Sequence, residues 1–147
     1  MSDAIADALD IAVAEWDVAR PADVSVATEA ELREYLKEAF GASLPSVRCC
    51  RHHTPPWTVF CEAYFARHPV IVVKGSRGLA GKTWFLGLLS LAEAVLLHAD
   101  VAILGGSGGQ SKRVQKAIDR FWNAPGAPRH LVKGDPGVVK TTFMAGN

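Results

Sequence analysis

At 147 residues the chain is long enough for one ordinary domain with a sizeable core. Its composition, 49% apolar and 21% charged, is that of a soluble globular protein. A net charge of +1 gives no global argument for binding nucleic acid or membrane, so any basic function must come from local clusters. Three cysteines do not make a disulfide framework. The first twenty residues carry five acidic side chains and no compact apolar core, unlike a signal peptide. The longest apolar runs are too short, or too interrupted by glycine and charge, to span a bilayer. A reducing, cytoplasmic setting is the expectation.

The first predicted element is a helix over residues 3–16, with Ile5, Leu9, Ala12, Val13 and Trp16 on one stripe. Arg20-Pro21 ends it. Thr28 followed by Glu31 has the form of a capping box. It opens a second helix, "EAELREYLKEAF", with Leu32, Tyr35, Leu36 and Phe40 on its apolar face and Gly41 at its C-terminal cap. These helices are expected to form a small helical appendage over residues 1–45, linked to the main unit by "GASLPSVRCCRHHTPP".

The main unit is expected over residues 46–147. Trp57, Phe60, Cys61, Tyr64 and Phe65 fall at helical spacing. A strand is predicted at 70–73, a helix from about Lys82 to His98, and a second strand, "VAILGG", at 101–106. A further helix, "QSKRVQKAIDRFW", would bury Val114, Ala117, Ile118, Phe121 and Trp122 and show Lys112, Arg113, Lys116 and Arg120. Proline and glycine break the chain at 125–128, and strand-like pieces follow near 131–133 and 138–144. Alternating strands and helices predict an α/β fold with a parallel sheet.

Between the first strand and its helix lies "SRGLAGKT", residues 76–83. A phosphate loop needs glycines that turn backbone N–H groups inward and a helix whose first amides face the anion. It also needs a lysine for the β- and γ-phosphates and a neighbouring hydroxyl for Mg²⁺. Gly78, Gly81, Lys82 and Thr83 supply these. Ser76 stands where the general pattern has its first glycine, with Gly75 just before it. Arg77 could clamp a phosphate through its planar guanidinium, or be a solvated surface arginine.

These residues resemble the N-terminal ATPase domain of the terminase large subunit, the DNA-packaging motor of tailed bacteriophages. The likeness covers about residues 52–147. It is carried by "SRGLAGKT", by "HHTPPWTVFCEAYF" and by "ADVAILGGSGGQSKRVQKAIDRFW". The resemblance implies an incomplete P-loop NTPase-type sheet of the RecA-like kind flanked by helices. It implies ATP and Mg²⁺ as ligands, with Ser76, Arg77, Gly78, Gly81, Lys82 and Thr83 around the phosphates and Trp57 beside the adenine. Lys82 and Arg77 would be the catalytic contributors, and Thr83 would meet the Mg²⁺. In full-length form it implies translocation of double-stranded DNA, with a portal protein, a small terminase subunit and a homo-oligomeric ring as partners, in the infected bacterial host and away from any membrane. The resemblance also has departures. Thr58 replaces the family's glutamine in the adenine segment. The Walker B acidic pair, the coupling motif and the nuclease domain are missing: Glu93 and Asp119 lie within predicted helices and Asp135 in a turn. Nucleotide binding with weak or absent hydrolysis is therefore expected.

Other readings are a small-molecule kinase or nucleotide switch using the same loop, and a non-catalytic interaction module. "CCRHH", with Cys49, Cys50, His52 and His53, invites zinc, but adjacent ligands are poorly spaced for one tetrahedral site. Cys61 lies on the apolar stripe of its helix. The basic face Lys112, Arg113, Lys116 and Arg120 could touch DNA phosphates, although a solvated helix face is the commoner explanation. His68, His98 and His130 read as loop or helix-end residues.

Overall fold

The computed structural model describes residues 25–76, 81–133 and 140–143. The expected helix at 3–16 lies outside the described residues. Four α-helices are present among them: α1 (Glu29–Phe40), α2 (Pro56–Tyr64), α3 (Lys82–Leu96) and α4 (Gly108–Trp122). A 3-10 turn, Arg129–Leu131, follows.

Helix α1 starts as its sequence dictates. The Thr28 side chain accepts the Glu31 amide at 3.3 Å, and the Glu31 carboxylate accepts the Thr28 amide at 2.9 Å. This reciprocal pairing satisfies two amides that a helix start leaves without partners. Gly41 ends the helix at φ 60°. The i, i+4 spacing of Leu32, Leu36 and Phe40 turns one stripe inward, and all three are buried. Helix α1 is therefore built into the same core as α2, α3 and α4. Phe40 meets Phe121 of α4 edge-on at 6.3 Å. Gly126 lies so close to α1 that a Cβ there would run into the Glu38 carbonyl oxygen.

Helix α2 begins with Pro56, whose missing N–H is harmless at the first helical position. It buries Trp57, Phe60, Cys61 and Tyr64. Phe60 reaches Phe85 of α3 at 5.5 Å, edge to face. Helices α3 and α4 pack closely where Gly87 faces Ala117; a Cβ on Gly87 would stand 3.0 Å from the Ala117 Cβ. Trp84 meets Phe121 across the same interface at 5.2 Å. Val114, Ala117, Phe121 and Trp122 are buried while Lys112, Arg113, Lys116 and Arg120 are exposed, as the α4 stripe requires.

The expected P-loop NTPase-type parallel sheet is corrected. The described residues hold no strand, and their one β pairing is an isolated antiparallel bridge between Val132 and Phe143. The Lys133 amide donates to the Thr142 carbonyl beside it at 2.8 Å. The physical reason lies in the runs at 70–73 and 101–106. Strands of a parallel sheet are covered on both faces, which is why they read as continuous apolar runs. Here Val70, Val72 and Leu104 are 76%, 88% and 94% exposed. Aliphatic β-branched residues favour a strand only where neighbours pair the backbone and cover the side chains. Without a ladder, these runs are connections without regular structure before and after α3.

Candidate functional site

The site centres on the start of α3. Gly81 holds the N-cap position at φ 61° and ψ 16°, a left-handed conformation that a side chain would strain. Among the described residues no side chain caps the helix, and its first turn has no acidic residue. Its first amides thus lack a side-chain acceptor among the described residues, at the positive end of the helix dipole.

Lys82 reaches back across this opening. Its Nζ donates to the Gly75 carbonyl at 2.9 Å and to the Ser76 carbonyl at 2.7 Å. Gly75 and Ser76 are thereby tied to the start of α3 by one ammonium. Thr83, the next residue, is exposed, as is Ser76. Gly78 and Arg77, two of the expected phosphate contacts, lie outside the described residues. A cationic group, an uncapped helix start and an adjacent free hydroxyl make a donor set suited to phosphate oxygens and a hard cation.

Trp57 is placed differently from the base-contacting role that the resemblance implies. It is buried, and Phe60 stacks nearly parallel to it at 6.1 Å and 8°. The Arg33 guanidinium lies 4.1 Å from the centre of the Trp57 ring. A nucleotide base could stack there only by displacing Arg33. Thr58 is half-buried beside it.

A cavity of about 740 Å³ opens elsewhere, between α3 and α4, with Leu91, Ile118, Trp122 and Phe143 among its walls. No described loop residue lines it. Size favours that cavity, but the charge and free donors a phosphate requires are at Lys82.

Two further arrangements were not apparent from the sequence. Glu93 of α3 is half-buried, and desolvation raises its carboxyl above the usual range. Tyr64 of α2 is buried near it and its phenol is pushed up to about 12, by desolvation first and the Glu93 charge second. The hydroxyls of Tyr35 and Tyr64 have no hydrogen-bond partner among the described residues. The i, i+4 and i, i+3 stripes predicted burial of both tyrosines, but the approach of Glu93 depends on how α2 crosses α3. The second arrangement pairs Cys50 Sγ with His53 Nδ1 at 3.0 Å. Among the described residues, no group of three or more His, Cys, Asp or Glu side chains could hold a metal.

Among the described residues the basic side chains of α4 have no acidic partner in an ion pair, while Asp119 is engaged by the Gln115 amide at 3.1 Å. No helix among the described residues is long and apolar enough to cross a membrane. Comparison with known proteins finds no matching family model, no matching curated relative and no matching solved structure.

Proposed function

We propose that residues 75–83 bind the phosphates of Mg²⁺-ATP, and that this chain is the nucleotide-binding part of a motor similar to the terminase large subunit. The observation that carries the reading is Lys82, whose ammonium ties Gly75 and Ser76 to the uncapped start of α3. It requires no parallel sheet, only a loop closed over a helix start. The β- and γ-phosphates meet Lys82 and the first amides of α3, and Thr83 meets the Mg²⁺ that the phosphates bring. Arg77 lies in the same loop and adds a planar fork of donors for the γ-phosphate. Nucleotide-bound Mg²⁺ supplies charge neutralisation for phosphoryl transfer. Among the described residues no carboxylate stands at this loop to orient water, so slow turnover is expected. In full-length form the activity is ATP-driven translocation of double-stranded DNA in the infected bacterial cytoplasm, by a ring of subunits working with a portal protein and a small terminase subunit.

Calorimetry with Mg²⁺-ATP on the wild type and on Lys82→Ala tests the reading. Binding heat in the wild type and its loss in the variant are expected. Equal heats from both proteins, with matching circular dichroism, would overturn it. A non-catalytic interaction module is the second reading, favoured by the exposure of Val70, Val72 and Leu104. Absence of any heat from the wild type moves the assignment there.

A further inference from the structure

The turn at residues 49–53 has chemistry that nucleotide binding does not use. The His53 amide donates to the Cys50 carbonyl at 3.1 Å, which closes the turn and places side chains three residues apart on one side. Cys50 Sγ then lies 3.0 Å from His53 Nδ1. The neighbouring imidazole is turned away: Arg51 Nε donates to His52 Nε2 at 2.9 Å. His53 is thus paired with the thiol, while Arg51 is engaged by His52. Both Cys49 and Cys50 are exposed. No third ligand joins them among the described residues, and the two side chains stand as a nucleophile beside a base.

The three cysteines therefore differ by environment. Cys61 is buried, and its thiol is pushed up to about 12, by burial first and the Glu29 charge second. It is inert in the folded protein. Cys49 is exposed but has no imidazole against its sulfur among the described residues. Cys50 alone of the three combines exposure with an imidazole nitrogen against its sulfur.

We propose that Cys50 is a peroxide- and electrophile-sensitive modification site, with His53 as its proton acceptor. With the imidazole in its Nε2–H tautomer, Nδ1 takes the thiol proton as sulfur becomes the nucleophile. The sulfur attacks one oxygen of hydrogen peroxide and an S–O bond forms as the O–O bond breaks. Sulfur loses two electrons, and the peroxide gains them. The leaving hydroxide takes the proton from His53, giving water and a Cys50 sulfenic acid.

The full chain labelled with iodoacetamide at neutral pH, and read residue by residue by mass spectrometry, tests the pairing. Cys50 is expected to react roughly tenfold faster than Cys49, less than the 10²–10⁴-fold typical of general bases in enzyme sites, because this pair is open to water. His53→Ala should bring Cys50 down to the Cys49 rate while leaving Cys49 unchanged, and Cys61 should label only after denaturation. Equal rates at Cys49 and Cys50, or no effect of His53→Ala, would overturn the proposal. Treatment with hydrogen peroxide in the presence of dimedone should place the adduct on Cys50. An adduct on Cys49 alone, or none, would remove the oxidation step.

Discussion

Truncating Phe60 is the sharpest test of how this core is held. Phe60 has no exposed surface. Its ring stacks on Trp57 at 6.1 Å within its own helix and meets Phe85 of α3 edge-on at 5.5 Å. Phe60→Ala removes both ring contacts and leaves a cavity bounded by two helices that cannot easily close. Substitutions of this kind cost about 3–5 kcal/mol, to which each aromatic pair contributes about 0.5–1.5. About 4 kcal/mol is the expected loss here, a large share of the roughly 5–15 kcal/mol of a typical domain. With a urea slope of about 2 kcal/mol/M, the unfolding midpoint should fall by roughly 2 M. Phe60→Leu, which refills much of the volume, should recover about half of that loss. Equilibrium unfolding followed by tryptophan fluorescence measures both. A loss below about 1 kcal/mol for Phe60→Ala would mean that α2 and α3 do not meet as described, because a fully buried phenylalanine is never so cheap to remove.

Thr28→Ala should lower stability by about 1 kcal/mol, since the Glu31 amide loses its acceptor; a urea titration showing no change would deny the capping box any weight. Gly126→Ala should cost about 1–3 kcal/mol, as the new methyl must push the Glu38 carbonyl and the end of α1 aside; an unchanged melting temperature would contradict that close approach. Glu93 gives a pH signature. Its folded-state affinity for a proton is raised by desolvation above the reference value of 4.5, so its contribution is full below that pH and lost as pH rises through the folded value. Glu93→Gln should therefore gain stability relative to the wild type at pH 7 but little at pH 4, as read from urea midpoints; an equal difference at both pH values would refute the desolvation argument.

What could be read from the sequence divides by the range of the interactions. The start of α1 was legible because a capping box is a local bargain between residues three apart. The buried stripe of α4 was legible because 3.6-residue periodicity needs only one neighbouring surface. Close approach of α1 to Gly126, and of Gly87 to Ala117, left no sequence signal that distinguishes these glycines from ordinary loop or helix glycines. The runs at 70–73 and 101–106 misled for a related reason. Valine and isoleucine record a demand for cover on two faces, but a strand exists only where other chain segments meet that demand. Trp57 shows the same limit: its place on the apolar stripe of α2 was legible, but the guanidinium of Arg33 over its ring was not.

The proposed phosphate binding before α3 does not depend on a sheet, because the geometry it uses is local. An ammonium has three donors. Lys82 spends two of them on the carbonyls of Gly75 and Ser76. One donor remains, at the start of a helix that no described side chain caps. A phosphate arriving there need not break the tether that shapes the loop. It adds a third, charge-assisted bond to a lysine already fixed by two, so less side-chain entropy is lost when the ligand binds. The same tether gives Lys82→Ala two consequences, loss of the charge and release of the loop, and Lys82→Met separates neither. Lys82→Arg keeps the charge on a rigid fork that cannot reproduce the ammonium's compact reach to both carbonyls. Weak ATP binding by the arginine variant would assign the greater share to the tether, and near-normal binding would assign it to the charge.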